Sequence, residues 1–111
     1  MGNLFNLRQL EELSGGQSEF VDSMIETFLE HTPGQLNDMV KAYKEGRWVD
    51  MGGLAHKIKP SIDLFEIPGV NQTIREIEKI GKSGSPTPDL ESKVIEVQSV
   101  LTEVFNQLKS R

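Results

Sequence analysis

His56 is the residue around which chemistry can be organised, because it lies in Leu54-Ala55-His56-Lys57-Ile58-Lys59-Pro60-Ser61, on the polar side of an otherwise amphipathic stretch. At about 100° of rotation per residue, Met51, Leu54, Ala55, Ile58, Ile62 and Phe65 fall within one arc of roughly 100°, and His56 points roughly 150° from its centre. The imidazole is therefore expected to face water. Gly52 and Gly53 stand one turn before it and Pro60 one turn after it, so compact residues flank the ring and an incoming surface can reach it.

An exposed imidazole serves as a base, a metal ligand or a nucleophile, and each role needs different companions. Metal sites between facing helices use Glu-x-x-His pairs, yet the residues three before His31 and His56 are Phe28 and Gly53, so no metal site is read. Hydrolysis would need a nucleophile and an orienting carboxylate, and Ser61 and Asp63 lie on the same helix at unsuitable directions. The companions suit a transient phosphoryl acceptor, with the ring neutral and nucleophilic near pH 7. Lys59, one turn on and about 60° around, can bring its ammonium to phosphoryl oxygens. Lys57 adds to the local positive charge. His31 lacks a lysine one turn on and neighbours Pro33-Gly34, so it is read as structural or incidental.

The residues that break helix rules gather beside this ring. Gly52 and Gly53 cost about 1 kcal/mol each relative to Ala, and Pro60 about 3 kcal/mol with a local bend. Broken local rules that cluster often mark a functional surface. Gly52, Gly53 and Pro60 are accordingly read as part of a docking surface for a partner around His56, with Lys57 next to the ring and Asp63 near its side of the helix counted in it.

The elements that must hold this surface follow from apolar spacing near 3.6, with no clean alternation of period two. A short helix is expected from Asn6 to Leu13, with Leu7, Leu10 and Leu13 on one side and Ser14-Gly15-Gly16 ending it. A second begins near Gln17 or Ser18 and runs toward Gly46, interrupted or kinked around His31-Thr32-Pro33-Gly34. The third covers Trp48 to Phe65, and Ile67-Pro68-Gly69 breaks it. The fourth carries Val70, Ile74, Ile77 and Ile80, with Gly81 to Pro86 as a loop. The last spans Asp89 to Lys109. Short Gly/Pro connections between such segments predict an all-α fold: an antiparallel up-down-up-down four-helix bundle with a short extra N-terminal helix, as one domain over 1–111.

The chain has 111 residues, no cysteine and a formal net charge of −5. Thiolate chemistry and Cys-ligated zinc are excluded, and a reducing cytoplasmic setting fits. An acidic chain without a concentrated basic face argues against nucleic acid as partner. No apolar run approaches the roughly 20 residues that span a bilayer, and Met1-Gly2-Asn3-Leu4 lacks the character of a leader, so no membrane insertion is expected. A monomer is expected, since no spare apolar stripe is left over.

Ala55-His56-Lys57-Ile58-Lys59-Pro60-Ser61 resembles the histidine-containing phosphotransfer (HPt) domain family, whose pattern is approximately Ala-His-x-Leu-Lys-Gly-Ser, and chain length and helix order agree with it. The resemblance implies a four-helix bundle with His56 phosphorylated on its outward ring nitrogen and Lys59 helping to hold the phosphoryl group. It implies no autokinase activity and no bound cofactor. The implied partners are response-regulator receiver domains, which carry the Mg²⁺, and a hybrid sensor histidine kinase of which such a domain can form part. The chain departs from the pattern at Pro60, where glycine is usual, and at Glu66, where a glycine commonly sits. Asp63 also alters the docking face. The rival reading is a non-catalytic helical adaptor, for which phosphate is irrelevant.

Overall fold

The computed structural model describes residues 4–111. Met1–Asn3, part of the segment read above for leader character, lie outside the described residues. The helices are α1 (Arg8–Leu13), α2 (Ser18–Lys44), α3 (Trp48–Leu64), α4 (Val70–Ser83) and α5 (Leu90–Lys109). No strand occurs among the described residues. The 27 residues of α2, at 1.5 Å rise, make about 40 Å of helix and account for the 44 Å long axis of the molecule.

Packing centres on α3, which lies against α4 on one side and α2 on the other, while α5 closes against both α4 and α2. Tyr43 meets Trp48 at one end of the α2–α3 seam, and Phe28 stacks at 4.4 Å on Phe65 at the other. Phe28 also touches Phe105 of α5 at 5.4 Å. Ile58, Ile62, Ile74, Ile77, Leu101 and Val104 are fully buried among them. Each such side chain contributes about 1.5 to 3 kcal/mol before chain entropy is subtracted. α1 rests on α2 through Leu10, is tied to α3 by the Asn6 N–H donating to the Phe65 carbonyl at 2.8 Å, and starts where Asn6 Oδ1 accepts from the Arg8 N–H.

Three expectations are corrected. α2 is not interrupted at His31-Thr32-Pro33-Gly34 but stays helical across them. Phe28, Thr32, Leu36 and Met39 are buried around the proline, and this tertiary packing offsets the missing backbone bond. α4 continues through Gly81, Lys82 and Ser83 and ends at Gly84, whose φ of 72° supplies the left-handed cap. Leu13 does not share the buried side of α1, being 70 % exposed where Leu10 is fully buried.

Gly81 is internal to α4 because of what faces it. A Cβ there would lie 2.5 Å from Gly52 Cα and 2.6 Å from the Trp48 carbonyl oxygen, so α3 and α4 approach backbone to backbone. This close crossing places the next turn of α4 within reach of His56.

Candidate functional site

One turn from the crossing along α3 stands His56, and one turn back along α4 stands Glu78. The imidazole is 65 % exposed, as expected, whereas the Glu78 side chain is 7 % exposed. His56 Nδ1 lies 2.6 Å from Glu78 Oε2, and Lys59 Nζ donates to Glu78 Oε1 at 2.8 Å. Lys82, four residues on along α4, approaches Oε2 at 3.2 Å. Three side chains from two helices thus converge on one buried carboxylate.

The electrostatics settle the tautomer. The Lys59 ammonium, opposed by burial and joined by His56 and Lys82, holds the Glu78 carboxyl down to about 2, so at neutral pH it is an anion that only accepts. Nδ1 must therefore carry the proton and donate. Nε2 makes no hydrogen bond among the described residues, and in the neutral ring it is the nitrogen that carries the lone pair. The carboxylate also fixes the ring's orientation, as such partners do for functional histidines.

Glu78 escaped the sequence reading, although a signal for it existed. Val70, Ile74, Ile77 and Gly81 form the buried stripe of α4, and Glu78 occupies a position on that stripe. A charged residue there demands a partner from another helix. The partners are 22 and 19 residues away, beyond what spacing along one helix reveals.

The other expected site residues divide. Gly53, Lys57 and Pro60 are exposed near His56, and nothing lies within 4 Å of a Cβ added at Gly53. Val49, Gly53, His56, Pro60 and Asp63 follow one another at helical spacing along one outward line of α3. Val49, 69 % exposed, was not anticipated in this role. It borders an open groove of about 420 Å³ between α2 and α3, lined also by Asp38, Lys41, Leu54 and Lys57. Gly52 is the correction: it is buried in the crossing with Gly81 and presents nothing to a partner. Asp63 is half-exposed and paired with Arg75 of α4 at 2.6 Å.

Lys59 is only 26 % exposed and engages Glu78 here, so it stands beside the ring with its ammonium directed to the carboxylate. α3 stays helical through Pro60 to Leu64. Glu66, just beyond, has φ of 48°, a conformation that glycine adopts without strain. It pairs with Arg8 at 2.7 Å and thereby ties α1 to the end of α3. His31 is exposed on α2 and not among the groups joined to Glu78.

Among the described residues, no group of three or more His, Cys, Asp or Glu is arranged to hold a metal ion. No helix among them is long and apolar enough to cross a membrane. In comparisons with known proteins, the chain matches no family model, no curated protein and no solved structure.

Proposed function

We propose that this chain is a histidine phosphotransfer module of the HPt kind, with α2 to α5 as an antiparallel up-down-up-down bundle and α1 as its short N-terminal addition. The observation that carries the reading is the His56–Glu78 pair: Nδ1 is held by a buried carboxylate, while Nε2, on a ring that is 65 % exposed, makes no hydrogen bond among the described residues. The donor is the acyl phosphate on a receiver-domain aspartate. The Nε2 lone pair attacks phosphorus, the bond from phosphorus to the aspartyl oxygen breaks, and the aspartate leaves as a carboxylate with the electron pair. No proton has to move. The ring becomes a phosphorylated imidazolium whose positive charge faces Glu78. A second receiver's aspartate reverses the step and takes the phosphoryl group.

The docking surface of this proposal is the outward line of α3, where Val49, Gly53 and Pro60 offer small or apolar contacts beside the ring and Lys57 adds charge. The Mg²⁺ that assists transfer belongs to the receiver. The test is incubation with a phosphorylated receiver and Mg²⁺, followed by mapping of acid-labile phosphate. His56→Gln is expected to fold normally and accept none, and His31→Gln to behave as the starting protein. Phosphorylation of His56→Gln to the starting level by several receivers overturns the reading. Receiver binding with no phosphate on His56 of the starting protein would favour the adaptor.

A further inference from the structure

Lys82 stands outside the sequence pattern around His56, on another helix and 26 residues further along the chain. Its position is nevertheless tied to the ring. Glu78 Oε2 is shared by His56 Nδ1 at 2.6 Å and Lys82 Nζ at 3.2 Å, while Oε1 is taken by Lys59 at 2.8 Å. The Lys82 ammonium and the imidazole therefore sit on the same carboxylate oxygen. Lys82 is also the looser of the two lysines, 73 % exposed against 26 % for Lys59.

The charges are unbalanced in the unmodified protein. Counting the carboxylate and its two lysines, one anion faces two ammonium groups. A phosphoryl group on Nε2 would bring about −1.5 to −2 charges close to the same ammonium groups. We infer that Glu78 acts as a resident counter-anion that holds Lys82 beside the ring until the phosphoryl group arrives, and that Lys82 then transfers its ammonium from Glu78 Oε2 to the phosphoryl oxygens as a second phosphoryl-holding cation. The exchange leaves Oε2 to the Nδ1–H alone, which favours the protonated, phosphorylated ring. Lys59, less exposed and on the other oxygen, stays beside Glu78 as the first phosphoryl-holding cation. This inference rests on the phosphotransfer reading and adds to it a residue and a change of partner.

The experiment compares Lys82→Ala, Lys82→Arg and Lys79→Ala, after phosphorylation of each by one receiver, for the lifetime of the phosphohistidine and the rate of its formation. Lys79 is exposed on the same helix and absent from the contacts of Glu78, so it controls for loss of one charge. Lys82→Ala is expected to shift lifetime or rate about three- to tenfold at low ionic strength and less at high salt. Lys82→Arg should restore most of the effect, and Lys79→Ala should match the starting protein. The ³¹P resonance of the phosphohistidine should move in Lys82→Ala and stay in Lys79→Ala. Equal lifetimes, rates and resonances for Lys82→Ala and the starting protein, with His56 still phosphorylated, overturn the inference and leave the phosphotransfer reading standing. Absence of phosphate on the starting protein removes both.

Discussion

Replacing Glu78 by Gln tests the site through stability, without any partner. The substitution keeps the shape and an accepting oxygen and removes the charge that Lys59, His56 and Lys82 share. The carboxyl is lowered from its ordinary 4.5 to about 2, which at about 1.4 kcal/mol per pH unit corresponds to roughly 3 kcal/mol of extra stability for the charged form. Two of its three partners are more than half exposed, so screening by water reduces this to about 1 to 2 kcal/mol. The sign follows from the direction: a carboxyl depressed in the folded state stabilises fully above its unfolded value. That contribution is lost as pH falls from about 4.5 toward 2, with more than half gone near pH 3. Urea denaturation of the starting protein and Glu78→Gln is therefore expected to differ by about 1 to 2 kcal/mol at pH 7 and by less than half of that at pH 3. Equal stability at pH 7, or a difference that does not shrink with acid, would refute the account of Glu78 as a buried anion held by three cationic or donating groups.

The α3–α4 crossing and the chain around it are open to the same measurement. Gly81→Ala is expected to cost about 1 to 3 kcal/mol or more, because its Cβ would meet backbone of α3 at 2.5 to 2.7 Å, and the displaced Glu78 should then leave His56. Gly53→Ala, with open space around the new Cβ, should stabilise by about 0.5 to 1 kcal/mol. At Glu66, φ of 48° predicts that Glu66→Gly unfolds at higher urea than Glu66→Ala by about 1 kcal/mol, since both lose the Arg8 pair and only glycine sheds the strain. For docking, Gly53→Arg and Pro60→Phe are expected to fold and to lose receiver binding in titration calorimetry, whereas Pro60→Gly binds normally. Normal affinity in the bulky variants would place the partner elsewhere.

The helices were legible because each buries a stripe of apolar residues, and spacing along a single helix reports that stripe directly. The same rule placed His56 outward, where it is 65 % exposed. It failed where a residue's role depends on another helix. Pro33 reads as a breaker, yet tertiary burial of Thr32 and Leu36 carries α2 through it. Gly81 reads as a turn residue, and nothing local distinguishes a glycine that ends a helix from one that lets a neighbouring backbone approach.

Gly52 shows how the two kinds of information meet. Beside His56 it reads as a residue that clears the approach to the ring, and its neighbour Gly53 does so. Gly52 instead turns inward against Gly81, and this contact sets the distance between α3 and α4. At that distance a glutamate one turn from Gly81 reaches Nδ1 at 2.6 Å. A wider crossing, with alanine at either glycine, would push Glu78 away from the ring and leave a buried carboxylate short of partners, at a cost of about 1 to 3 kcal/mol. The small residues around His56 thus act on both sides of the helix: Gly53 and Pro60 keep the outer face open, and Gly52 brings up the anion that determines which ring nitrogen stays free.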